Sequence, residues 1–211
     1  IEAATGQAPT AYLDDVGLVT ERSVIAHGVN LDEREIATLA QRGASVTHCP
    51  SSNLKLGSGI ADVRALRDRG ITVGIGADGA ACNNRLDGFD ELRLAALLAA
   101  SRHGPGALTA WDILAMGTCD GARAMRLDTD IGTVEVGKKA DLIVLDPDRL
   151  AGPAGDPATR IVYGGGSRAV RDVIVDGRIL VRNFLPRTLD PDAVRAAAAE
   201  ALPALTRRAG I

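Results

Sequence analysis

Apolar and polar positions switch period repeatedly along the first hundred residues. Short apolar runs that fit strands, S-V-I-A-H-G-V (23–29), A-S-V-T-H-C-P (44–50) and I-T-V-G-I-G (71–76), alternate with segments whose apolar residues recur at helical spacing. In the first such segment, 31–43, Ile36, Leu39 and Ala40 form the apolar face and Gly43 supplies the stop. Residues 60–70 read as a second helix closed by Gly70, and F-D-E-L-R-L-A-A-L-L-A-A (89–100) as a third. A short helix over 8–16 precedes them, and a polar loop over 51–59 follows the second strand. Strands and helices in alternation predict successive βα units with parallel strands. Runs this short and apolar suit a sheet covered on both faces.

From Leu108 the pattern changes. Residues 108–125 read as one helix with a Thr109 cap, followed by strand-like pieces at 131–137, 140–146, 160–163 and 170–181. The last contains V-I-V-D-G-R-I-L-V, a hairpin signal around Asp176-Gly177. A helix over 191–202 comes last. A βα-repeat region thus gives way near residue 130 to a small β-rich module. G-I-G-A-D-G (74–79) leads into a polar loop rather than opening a helix, which disfavours a dinucleotide-binding fold.

Composition narrows the partners. Across 211 residues, 24 Lys plus Arg stand against 27 Asp plus Glu, a net charge of −3, with no basic stretch suited to nucleic acid or an anionic membrane. Hydrophobic residues make up 46% but aromatics only 2%, so the core must be built from Ala, Val, Leu and Ile, and few rings exist for base stacking. Cys49, Cys82 and Cys119 are widely spaced and odd in number, with no Cys-x-x-Cys pair, which argues against a disulfide framework and makes a reducing cytoplasm the expected location. No run is long and apolar enough to span a bilayer, and no signal peptide is visible. The first residue is Ile rather than Met, and the expectation is that the chain begins inside a longer polypeptide.

Candidate chemistry gathers at the three strand ends. The first strand ends near His27, the second at His48, and the third runs into Asp78. Each has a plain reading: Asp78-Gly79 suits a turn, and a lone His near a strand end is commonly a hydrogen-bonded core residue. The other reading is a site, because in a βα barrel the loops beyond the carboxyl edge of the sheet converge there. His103 reads as a solvated loop residue, the cysteines as small fillers, and Asn83 and Asn84 as ordinary loop residues.

Four blocks then converge. A-H-G-V-N-L-D-E-R-E-I, G-A-S-V-T-H-C-P-S-S-N-L-K-L-G-S-G-I-A-D-V, G-I-G-A-D-G-A-A-C-N-N-R-L-D-G-F-D-E-L-R and I-G-T-V-E-V-G-K-K-A-D-L-I-V-L-D resemble, in order and spacing, the amidohydrolase superfamily. Within it, the chain is similar to the chlorohydrolase and aminohydrolase branch, which includes S-adenosylhomocysteine/methylthioadenosine, guanine and 8-oxoguanine deaminases and the triazine hydrolases. The resemblance implies an α/β fold. Residues 1–129 would be the C-terminal portion of a (β/α)8 TIM-like barrel, strands six to eight, with 130–186 part of a small composite β-sandwich domain and 187–211 a C-terminal helix. It further implies that Asp78 ends strand eight, binds the metal and takes a proton from the attacking water. His27 would end strand six and hydrogen-bond that water or the tetrahedral centre. His48, Ser52 and Asn53 would shape the substrate pocket around strand seven without touching metal.

The implied cofactor is one Zn²⁺ or Fe²⁺ per active site, its remaining ligands outside this chain. The implied partners are a small purine-like or triazine-like heterocycle, a missing N-terminal barrel segment and further copies in a homo-oligomer, with no nucleic acid and no membrane. Attack of hydroxide on an aminated ring carbon with loss of ammonia is the implied reaction. A carboxylate can move the proton and a neutral His can donate to the oxyanion. The family's strand-one His-x-His, strand-five His and following Glu are not among these residues, so the chain alone is expected to be inactive. It also departs from many relatives at Ala77 and Cys82, where they carry Thr and Ser. Two other readings stay open: a noncatalytic half that pairs with a separate N-terminal chain, and a cyclic-amide hydrolase. Those latter relatives commonly use a carboxylated Lys, and no strand-end Lys is visible.

Overall fold

The computed structural model describes residues 1–152 and 155–210. Two short helices, α1 (Glu2–Thr5) and α2 (Pro9–Asp15), lead into β1 (Val24–Ala26) and then α3 (Glu33–Arg42). Helix α3 begins where the Asp32 carboxylate accepts hydrogen bonds from the Arg34 and Glu35 amides while the Glu35 carboxylate accepts one from the Asp32 amide, a reciprocal capping box. The other Glu35 oxygen accepts from the Thr10 amide at 3.2 Å and ties α2 to α3. The helix stops at Gly43, whose φ of 69° a side chain would resist.

There follow β2 (Ser45–His48), α4 (Pro50–Lys55), α5 (Val63–Asp68), β3 (Val73–Ile75), α6 (Ala80–Asn83) and α7 (Gly88–His103). The three strands pair in parallel in the order β1-β2-β3. Their register sets Ala26 beside Thr47 and Thr47 beside Gly74. Two further bonds carry it past the strand ends, His27 amide to Thr47 carbonyl at 2.8 Å and Gly76 amide to His48 carbonyl at 2.9 Å. His27, His48 and Ile75 therefore lie level on one edge, with Asp78 three residues beyond. Val46 and Val73 pack with Leu39, Leu66, Ile113 and Met116 into an aliphatic core, all essentially removed from solvent. Burial of each such side chain contributes about 1.5–3 kcal/mol.

The chain continues with α8 (Ala110–Met116), α9 (Cys119–Ala124), β4 (Leu142–Leu145), α10 (Pro157–Gly164), β5 (Val170–Val175), β6 (Arg178–Arg182), β7 (Leu185–Pro186) and α11 (Pro191–Ala209). Strands β4 to β7 form a second sheet, antiparallel and in sequence order. The expected hairpin joins β5 to β6. Asp176 and Gly177 both have positive φ, 49° and 76°, as a two-residue hairpin turn with the twist of its strands requires. Among the described residues no helix is long and apolar enough to cross a membrane.

Several expectations need correction. Residues 160–163 are not a strand but the centre of α10. Asp156 caps that helix, and Ala158 and Val162, four apart, are its buried stripe; an apolar run of three residues fits either period. Residues 131–137 form turns, with Val134 and Val136 exposed. The single helix expected over 108–125 breaks at Gly117–Thr118, where a Cβ on Gly117 would lie 2.8 Å from Leu92 Cδ2. The loop expected over 51–59 begins as α4, which Pro50 can start because a first-turn residue needs no amide donor. His103 ends α7 and meets Asp62 through Nε2 at 2.8 Å. The C-terminal helix runs past residue 202 to Ala209, through Pro203.

Candidate active site

Beyond β1 the backbone turns left-handed at His27, φ 70°, and Gly28, φ 60°; beyond β3 it does so again at Asp78, φ 59°. His and Asp are among the few side chains that enter this region, at a cost of about 1 kcal/mol or more. The two turns bring their side chains toward one opening, where His27 Nε2 lies 3.8 Å from Asp78 Oδ2.

Helix α4 bridges the two, although it belongs to the strand between them. Ser52 and Asn53 are consecutive on one of its turns and both are buried. The Ser52 hydroxyl donates to Asp78 Oδ2 at 2.5 Å, and Asn53 Oδ1 lies 2.8 Å from His27 Nδ1. In the tautomer with its proton on Nδ1, the ring donates to Asn53 Oδ1 and presents a lone pair at Nε2. In that tautomer Nε2 and Oδ2 are two acceptors facing one another across a gap suited to a cation or a water. The other Asp78 oxygen accepts from its neighbour's amide, Gly79, at 2.7 Å. The Ser52 hydroxyl first, then the Gly79 amide, hold the Asp78 carboxyl below the usual carboxylate range. Among the described residues no three His, Cys, Asp or Glu converge to hold a metal ion. Asp78 and His27 offer one carboxylate and one imidazole, fewer than the three protein ligands of a catalytic zinc site.

His48 does not join this group. Its side chain lies with Ala61, Asp62, Ala95, Ala99 and Arg102, around a cavity with room for about one water. Nδ1 has no hydrogen-bond partner there. Burial, and secondarily the neighbouring His27, push the His48 pKa from 6.5 down to about 4. The unfolded chain therefore takes up this proton first as pH falls. Stability present above pH 6.5 drains between 6.5 and 4, by about 3 kcal/mol at the lower end. Urea unfolding from pH 7 to pH 4 should show that loss in the native protein, and His48→Gln should remove this part of it. Equal pH dependence in both proteins would contradict the assignment.

Two residues with a structural claim on the site were missed. Glu91 of α7 is fully buried and accepts from the Ser51 amide at 3.0 Å and from Asn83 Nδ2 at 2.7 Å. Asn83, read as an ordinary loop residue, also donates from Nδ2 to the Ala77 carbonyl at 2.7 Å. A signal for Glu91 exists in helical phase: Glu91, Ala95 and Ala99 fall at i, i+4 and i+8, and all three are buried.

The profile of the Amidohydrolase family matches residues 1–180. A 5-methylthioadenosine/S-adenosylhomocysteine deaminase of Haloarcula marismortui is 42% identical over 207 residues, covering 97% of this chain and 48% of that protein. The crystal structure of an adenosine deaminase from Xanthomonas campestris with bound zinc superposes with a TM-score of 0.91 at 39% identity, over 94% of this chain and 46% of the other. Atrazine chlorohydrolase from Arthrobacter aurescens, complexed with zinc, gives 0.86 at 31% identity, over 94% and 45%. The chain spans about half the length of the curated relatives it matches. With a family profile over most of its length and the same backbone course as these zinc-bound structures, the chain belongs to the amidohydrolase family.

Proposed function

We propose that this chain carries part of the active site of a metal-dependent hydrolase that removes the exocyclic amino group of a purine-like heterocycle. In this reading β1, β2 and β3 are strands six to eight of a (β/α)8 barrel, residues 1–129 its C-terminal portion, 130–186 part of a β-sandwich and 187–211 a C-terminal helix. The observation that carries it is the His27–Asp78 opening, 3.8 Å across and buttressed by Ser52 and Asn53 of α4, the helix that follows the middle strand. Support for the substrate class comes from the relatives named as adenosine-type deaminases.

Asp78, with donors from outside these residues, would hold one Zn²⁺ or Fe²⁺. When bound, such an ion supplies acidity, bringing the pKa of water toward about 7. Asp78 Oδ2 accepts the proton of the attacking water and passes it to the departing amine, so that water is consumed and ammonia leaves. His27 Nε2, its lone pair set by the Nδ1 bond to Asn53, accepts the water's second hydrogen and orients its attack. Ser52 keeps Asp78 ionised and aimed. His48, on the helix-facing side, has a packing role.

The test is ammonia release by the intact protein from S-adenosylhomocysteine, methylthioadenosine and 5′-deoxyadenosine, with atrazine and a cyclic amide alongside and metal content measured. Turnover of the adenine compounds with one metal per site is expected. Cyclic-amide hydrolysis with two metals would overturn the reading in favour of that branch, and absence of all turnover in metal-loaded protein would favour a noncatalytic half.

A further inference from the structure

Glu91 is an unusual residue for its position. It is 1% exposed, and among the described residues no Lys, Arg or His forms an ion pair with it. A buried carboxylate without a cation is costly, and an apolar side chain carries no such desolvation cost. What a carboxylate alone provides is two acceptor oxygens with no donor. Both are used. One accepts from the Ser51 amide, a first-turn donor of α4 that lacks a partner within its own helix. The other accepts from Asn83 at the end of α6. The groups held are next to the candidate site on both sides: Ser51 precedes Ser52 and Asn53, and Asn83 in turn fastens the Ala77 carbonyl that precedes Asp78.

We propose that Glu91 is a positioning residue, its carboxylate clamping the α4 turn to the α6 turn and so setting the distance between the Ser52–Asn53 pair and Asp78. This rests on the reading of the His27–Asp78 opening as the hydrolytic site. The clamp acts on the site through two bonds already on the page, Ser52 to Asp78 and Asn53 to His27. Gln at 91 keeps the shape but faces one of the two donors with an NH₂ group, so one bond is lost and replaced by repulsion. The turns are then free to separate by a fraction of an ångström, enough to misalign reacting groups.

The experiment uses the intact protein with Glu91→Gln, Ser52→Ala, the double variant and Leu39→Ala, a buried core change on α3. Glu91→Gln should lower kcat by about tenfold to a hundredfold with KM within about twofold. In the Ser52→Ala background the same change should cost clearly less than it does in the native protein, because one of the two bonds it acts through is already gone. Leu39→Ala should lower Tm at least as far without that loss of kcat, which separates positioning from general destabilisation. The ¹⁵N signals of the His27 ring, read on metal-free protein, should shift in Glu91→Gln and stay in place in Leu39→Ala. This readout stands even if the protein hydrolyses none of the substrates tried, so failure of the functional reading and failure of the clamp are distinguishable. Native kcat and unmoved His27 signals in folded Glu91→Gln, or losses that multiply in the double variant, would overturn the proposal. If Glu91→Gln does not fold, Asn83→Ala, which removes one arm of the clamp, is put through the same cycle and decides by the same outcomes.

Discussion

Replacing Asp78 by Asn is expected to reduce turnover by about a thousandfold or more while leaving the protein folded. The carboxylate is asked to do two things that an amide cannot. It must stay anionic beside a cation, and it must accept a proton during attack. Asn is the appropriate replacement because Asp78 sits at φ 59°, a left-handed conformation that Asn tolerates better than any other residue with a side chain except Asp. Its Oδ1 can still accept from Ser52 or from the Gly79 amide, the two partners of the native carboxylate. Circular dichroism and Tm should therefore stay close to native while ammonia release and metal content fall. Near-native rates in the variant would remove Asp78 from the chemistry and with it the proposed function.

His27→Asn should lower kcat by about a hundredfold with the metal retained. The ring contributes at Nε2, the nitrogen that faces Asp78; its other nitrogen is occupied by Asn53. A shorter side chain cannot reach the opening, yet Asn again accepts the positive φ, 70° at this position, so the turn after β1 survives. Metal analysis separates the two roles open to an imidazole here. Loss of the ion together with activity would make His27 a ligand, and loss of rate alone makes it the group that orients water.

The apolar groove between α8, α9 and the second sheet has a bearing on how such variants should be handled. Met125, Leu127, Val134 and Ile143 are all substantially exposed around it, and β4 is an edge strand of its sheet. Surfaces of this kind promote association when left open. Comparisons among variants are sound when each is measured in the same intact protein.

Much of the fold was legible where elements were long or strongly periodic. Helix α3 announced itself through Asp32, Glu35 and Gly43, and the β5–β6 hairpin through Asp176-Gly177, because caps and tight turns depend on residues adjacent in the chain. Residues 160–163 are too few for the strand and helix periods to be told apart, and only the capping of α10 by Asp156 and the burial of Val162 break the tie; residues 131–137 alternate as a strand would, yet Val134 and Val136 are exposed, so no burial holds them to a sheet. His27 and Asp78 were visible as polar residues at strand ends. Their separation was not, nor was the side on which His48 would fall, since a sheet covered on both faces leaves the alternation without an obvious inside.

The amino-acid order by itself determined a part of the local structure: the three parallel strands, the start and stop of α3, the β5–β6 turn, and which ionisable groups stand at the strand ends. These follow from torsional preference and hydrophobic period, which act over a few residues. Tertiary structure decided that Ser52 meets Asp78 and Asn53 meets His27, each across 26 residues, and that Glu91 reaches both turns from α7. Those contacts depend on the register of three parallel strands and on where α4 settles over the edge of the sheet. Both are set by how the aliphatic core packs as a whole, an energy shared among residues too distant in the chain to leave a local pattern.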